Sequence, residues 1–91
     1  MSRTKPPTDI DRLRKKIDHI DTQIAALLKE RAHLASQIIL AKELSGTAIT
    51  DRKRERAIVR RYLSTLKRPI KAKRVHALVK AVLELTPRYR N

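Results

Sequence analysis

Apolar residues return every three or four positions along the first half of this chain. The series is Ile10, Leu13, Ile17, Ile20, Ile24, Leu27, then Leu34, Ile38 and Ala41. That spacing marks one face of a helix packed against other helices. Arg31 stands where the pattern asks for Leu or Ile, and Lys42 lies beside the last stripe position. A cation among aliphatic side chains is costly unless an anion meets it. No acidic residue is spaced to do so on the same face within one turn, so the anion is expected to be a ligand.

Thr8 or Asp9 is expected to cap this first helix, and Gly46 to stop it after about Leu44. Such a helix is roughly 50 Å long. A compact monomer of this length has a radius of gyration of about 12 Å. Two short remaining segments cannot cover both ends, so the long helix is expected to pack against its copy in a homodimer. Residues 45–50 connect to a second helix over about 51–66, with Thr50 or Asp51 as its N-cap. It should bury Ile58, Tyr62, Leu63 and Leu66. Pro69 breaks it from a third helix over about 70–86, which should bury Val75, Leu78, Val79, Val82 and Leu83. The fold class is all-α: a tail over 1–8 and one three-helix domain over 9–91.

Composition narrows the function classes. The chain has 91 residues, no Cys, no Phe, no Trp and one Gly. That excludes a disulfide framework and a thiolate zinc site, and it disfavours a sheet protein. His19, His33 and His76 lack a metal-ligand spacing, so no metal is expected. No segment has the length of a membrane span, and Met1 to Pro7 lacks the apolar core of a signal peptide. A cytoplasmic protein that binds no membrane is expected.

The net charge of +14 is uneven. Residues 1–51 are close to balanced, whereas residues 52–91 hold fourteen Lys and Arg against two acids. Acidic partners follow from this, without a choice among nucleic acid, anionic lipid and anionic metabolite. Helical geometry adds a direction. Arg31 and Lys42 are eleven residues apart, about 20° around the axis and roughly 16 Å along it, so both can lean toward one ligand. Arg14 is about 25 Å from Arg31 along the same helix and cannot comfortably join that site from its own chain. In an antiparallel dimer, Arg14 of one copy can reach Arg31 of the other. Asp51 and Glu55 share a face at i, i+4 and either favour the helix dipole or accept a ligand hydroxyl.

The run from Leu13 to Ile24, then Leu27-Leu28-Lys29-Glu30-Arg31, Leu34-Ala35, Lys42 and Asp51-Arg52-Lys53-Arg54-Glu55, resembles the all-helical class of chorismate mutases. The resemblance is strong over about 9–60 and weaker over the third helix. It implies an intertwined dimer of three-helix chains with two sites, each completed by an arginine from the partner. It also implies roles. Arg31 and the partner's Arg14 hold the substrate carboxylates, and Lys42 binds the ether oxygen and a carboxylate. Asp51 and Glu55 contact the ring hydroxyl with Arg54 nearby, and Thr86 helps bind a carboxylate. Where the family commonly has a Gln on the ether oxygen, this chain has Arg90.

The implied activity is the Claisen rearrangement of chorismate to prephenate, which moves no proton and needs no nucleophile or cofactor. Fixed cations select the compact conformer and stabilise the charge growing on the ether oxygen. The alternatives on the same fold are an isochorismate pyruvate lyase and an aminodeoxychorismate mutase. Asp51 with Glu55 leans toward the mutase. The alternative of another class is a basic helical nucleic-acid-binding protein using Arg52-Lys53-Arg54, Arg60-Arg61 and Lys67 to Arg74. The near absence of aromatics for stacking on bases speaks against it.

Overall fold

The computed structural model describes residues 8–86. They form three helices, α1 (Asp9–Ser45), α2 (Arg52–Thr65) and α3 (Ala72–Glu84). No helix among them is long and apolar enough to cross a membrane. The chain divides into two compact units, Met1–Glu30 and Arg31–Asn91.

Each end of α1 has a local cause. Thr8, rather than Asp9, is the N-cap. Its Oγ1 accepts from the Asp11 backbone N–H at 3.1 Å, and the Asp11 carboxylate accepts from the Thr8 N–H at 3.3 Å. This reciprocal pair satisfies two donors that the first turn leaves without helical partners. At the other end Gly46 adopts φ +72. Its N–H donates to Glu43 O at 3.3 Å, and the Thr47 N–H donates to Lys42 O at 2.9 Å. These two bonds form a Schellman stop, which needs a residue at ease with positive φ.

In the first unit, the side chains of Ile10, Leu13, Ile17, Ile20, Ile24 and Leu27 are each 48–63% exposed. One chain therefore leaves this apolar stripe without cover.

The second unit holds the core. Ile58 of α2 packs with Val75 and Val79 of α3, and Tyr62, Leu63, Leu66 and Leu83 surround them. Val75 and Val79 are each only 1% exposed. Burial of such side chains stabilises by about 1.5–3 kcal/mol apiece, so this small cluster is what ties α2 to α3.

Two expectations for α3 are corrected. It starts at Ala72 rather than near residue 70, because the turn from Lys67 to Ile70, closed by the Ile70 N–H on Lys67 O at 3.1 Å, keeps Ile70 non-helical and Lys71 is an extended N-cap (φ −73, ψ 144). Regular helix ends at Glu84, where the Leu85 N–H bonds to Val82 O at 3.3 Å in a tightened last turn. Leu78 is not buried: it is 45% exposed. It lies about 60° around the axis from Val75, off the face that meets α2.

Candidate active site

The second unit contains a cavity of about 340 Å³. That is within the range of roughly 300–1,000 Å³ usual for small-molecule sites. Arg31 and Lys42 reach it from α1. Asp51, Arg54 and Glu55 reach it from the start of α2, and Thr86 from the end of α3. Leu34, Ile38, Ile58 and Leu83 contribute apolar wall. Six residues expected from sequence to form one site therefore share one cavity. Of the other two, Arg14 belongs to the first unit and is exposed, and Arg90 lies outside the described residues.

Local sequence explains how several of these groups are presented. Arg31 is half-buried. Its helical position places it between Leu27 and Leu34 on the apolar face, so the stripe that should carry aliphatic groups carries a guanidinium into the cavity. Lys42 is also half-buried, and its Nζ donates to the Ile49 carbonyl at 3.2 Å. Asp51 is the N-cap of α2: its Oδ1 accepts from the Arg54 N–H at 2.9 Å. Asp51 thus both caps α2 and lines the cavity. Glu55 follows one turn later on the same side and is half-buried.

Thr86 is buried, and its Oγ1 donates to the Ala32 carbonyl on α1 at 3.3 Å. Ala32 O also accepts from Ser36 Oγ at 3.0 Å. A hydroxyl has one proton. For Thr86 to donate to a ligand carboxylate, it must turn away from Ala32. Neither this contact nor the Ile49 carbonyl is visible in a sequence reading, because a main-chain acceptor leaves no residue signature. The one available signal was Gly46, which foretold a tight turn next to Lys42.

Among the described residues, three cations face two carboxylates around the cavity, a net of one positive charge. Arg31, Lys42 and Glu55 are half-buried, where charges act more strongly than in water. The set can bind an anionic ligand that also carries a hydroxyl for the carboxylates. Among the described residues it offers no nucleophile paired with a base.

A separate groove of about 990 Å³ runs between α2 and α3. Val59, Leu63, Val79 and Leu83 line it, with Arg52, Arg56, Arg60 and Lys80 among its charged residues. Although larger, it brings together fewer of the expected site residues. Glu55, Leu83 and Thr86 line both cavities, so whatever fills the groove borders the smaller site.

The capping role of Asp51 can be tested. Asp51→Asn keeps a capping oxygen and removes the charge. Asp51→Ala removes both and is expected to cost about 1 kcal/mol of stability. Thermal unfolding should separate the two variants. An Asp51→Ala protein as stable as the parent would show that the cap carries no weight.

A family model described as chorismate mutase type II matches residues 13–90. Similar curated proteins are the intracellular chorismate mutases of Mycobacterium tuberculosis (strain ATCC 25618 / H37Rv) and Mycobacterium bovis. Each is 37% identical over 62 residues, which is 68% of this chain and 59% of the relative. The match thus spans less than two thirds of those relatives' length.

Proposed function

Because the chain belongs to the chorismate mutase type II family, we propose that it is an isomerase converting chorismate to prephenate. The observation that carries this reading is the convergence of Arg31, Lys42, Asp51, Arg54 and Glu55 on one apolar-walled cavity. The rearrangement is unimolecular, breaking one C–O bond as one C–C bond forms. It needs no cofactor, nucleophile or net proton transfer. Arg31 binds a substrate carboxylate and fixes the compact conformer. Lys42 donates to the ether oxygen and a carboxylate, where its positive charge offsets the negative charge that grows as the C–O bond lengthens. Asp51 and Glu55 accept from the ring hydroxyl, beside Arg54. Such groups accelerate by orientation and by electrostatics already in place before the bond breaks. Thr86 assists at a carboxylate once its proton leaves Ala32, and Arg90 stands for the family's usual Gln.

We further propose that the working form is a homodimer whose three-helix domain spans 9–91. The exposed stripe from Ile10 to Leu27 supports this, since contiguous apolar surface of that kind marks an interface. The apolar lining of the α2–α3 groove is of matching character. The partner's Arg14 completes the site. It adds a further positive charge to a site that must hold a dicarboxylate. A cytoplasmic location accords with the relatives' description as intracellular.

Purified protein should be incubated separately with chorismate, isochorismate and aminodeoxychorismate, and each product identified. Prephenate from chorismate supports the proposal. Release of pyruvate from isochorismate alone, or turnover of the amino analogue alone, would replace it with the corresponding lyase or mutase. No turnover of any, together with a salt-dependent gel shift at physiological ionic strength, would favour the nucleic-acid reading.

A further inference from the structure

We propose that the turn between α1 and α2 is a positioning device for Lys42, which holds the ammonium group in place before any ligand binds. The proposal rests on the reading of Lys42 as the donor to the ether oxygen. A lysine side chain is a compact charge on a flexible four-carbon stem, and catalysis by a fixed charge requires that freedom to be removed in advance. Here the turn restrains Lys42 at both of its ends.

The backbone end is tied twice. Lys42 O would be one of the carbonyls left without a partner at a helix terminus. It accepts from the Thr47 N–H at 2.9 Å and from Ser45 Oγ at 3.2 Å. Ser45 Oγ also lies 2.8 Å from Thr47 Oγ1. With the Ser45 proton given to Lys42 O, the Thr47 hydroxyl is the donor of that second bond. The side-chain end is tied through Nζ to Ile49 O at 3.2 Å.

Ile49 is half-buried and lines the same cavity, and Asp51, two residues on, is fastened to α2 by its capping bond. The acceptor is therefore itself held in place. An ammonium group has three protons. One on Ile49 O leaves two for ligand oxygens.

Gly46 makes the device testable without touching the cavity. Its φ of +72 is the left-handed conformation, and a Cβ built there meets nothing within 4 Å. An Ala at residue 46 therefore acts through backbone preference and not through a clash of its Cβ. Asn visits the left-handed region readily, whereas Ala does so at a cost. The pair Gly46→Ala and Gly46→Asn isolates the conformation of the turn.

For Gly46→Ala, kcat on chorismate should fall roughly tenfold or more, because the charge on the ether oxygen grows in the transition state, and KM should rise by a smaller factor, because the carboxylate contact is also made in the ground state. Gly46→Asn should stay within about twofold of the parent in both constants, since its turn is preserved. A turn that serves stability alone would lower the Tm of Gly46→Ala and leave its kcat intact below that temperature, which would overturn the proposal. Equal loss of kcat in both variants would overturn it as well. A second readout does not need turnover: 15N relaxation of the Lys42 ammonium in the full chain without substrate. The group should be restricted in the parent and in Gly46→Asn, and mobile in Gly46→Ala. A mobile ammonium in the parent overturns the positioning role whatever the enzyme does. A restricted one in a protein that leaves chorismate untouched keeps the positioning role and removes the proposed function.

Discussion

Arg31→Ala is expected to lower kcat on chorismate by about 10²–10³-fold, the usual cost of removing one preorganised group from the reacting charge. It should do so without unfolding the protein. Arg31 is half-buried beside Leu34, Ala35 and Ile38 in the cavity lining. Its guanidinium is kept there at the cost of partial desolvation, and apolar replacement of such a charge is often neutral or stabilising. Activity and thermal unfolding measured on the same preparation check both halves. Arg31→Lys should recover only part of the rate, because an ammonium group lacks the planar fork that meets a carboxylate through two parallel bonds. A fully active Arg31→Ala protein would remove Arg31 from the site. An inactive one that is also unfolded would give Arg31 a structural role, which its lining position does not suggest.

Recovery of activity from two inactive variants is the second large effect. Arg14→Ala and Arg31→Ala should each be nearly inactive as homodimers if every site draws Arg31 from one chain and Arg14 from the other. Mixed, unfolded and refolded together in equal amounts, half of the dimers should be heterodimers. One site of each heterodimer has both arginines intact, and the other has neither. Random pairing of a two-fold dimer therefore predicts about a quarter of the parental activity. The stripe from Ile10 to Leu27 motivates the test, because it lies exposed on the helix that carries Arg14. No recovery, in a mixture shown to contain heterodimers, would place both arginines in sites of single chains, and an active Arg14→Ala homodimer would remove Arg14 from the chemistry.

Local chemistry explains which parts of the fold could be read early. The stop at Gly46 was legible because it depends on a single residue type suited to one backbone task, whereas Thr50 and Asp51 both remained candidates for the cap of α2 until the Arg54 N–H bond to Asp51 Oδ1 decided it. Thr8 and Asp9 were not separable, since either can cap. The choice of Thr8 follows from its reciprocal bonds with Asp11. Leu78 was misread because a helical stripe has soft edges: a residue about 60° from the centre is buried only if a neighbour reaches it, and α2 does not. Arg31 and Lys42 stood out for the opposite reason, as charges on or beside positions that a packed face reserves for apolar groups.

What the order of residues determines here is periodicity and its interruptions: three helices, their caps, and two cations misplaced along an apolar stripe. Helical geometry carries that information over a few turns and no further. The meeting of Arg31 and Lys42 with Asp51, Arg54, Glu55 and Thr86 depends on contacts between residues distant in sequence, among them Thr86 Oγ1 on Ala32 O. So does the tether from Lys42 to the Ile49 carbonyl, which no side chain announces. Tertiary packing decides these because a cavity is defined by surfaces from several elements at once. Its polar supports include main-chain groups that every residue possesses.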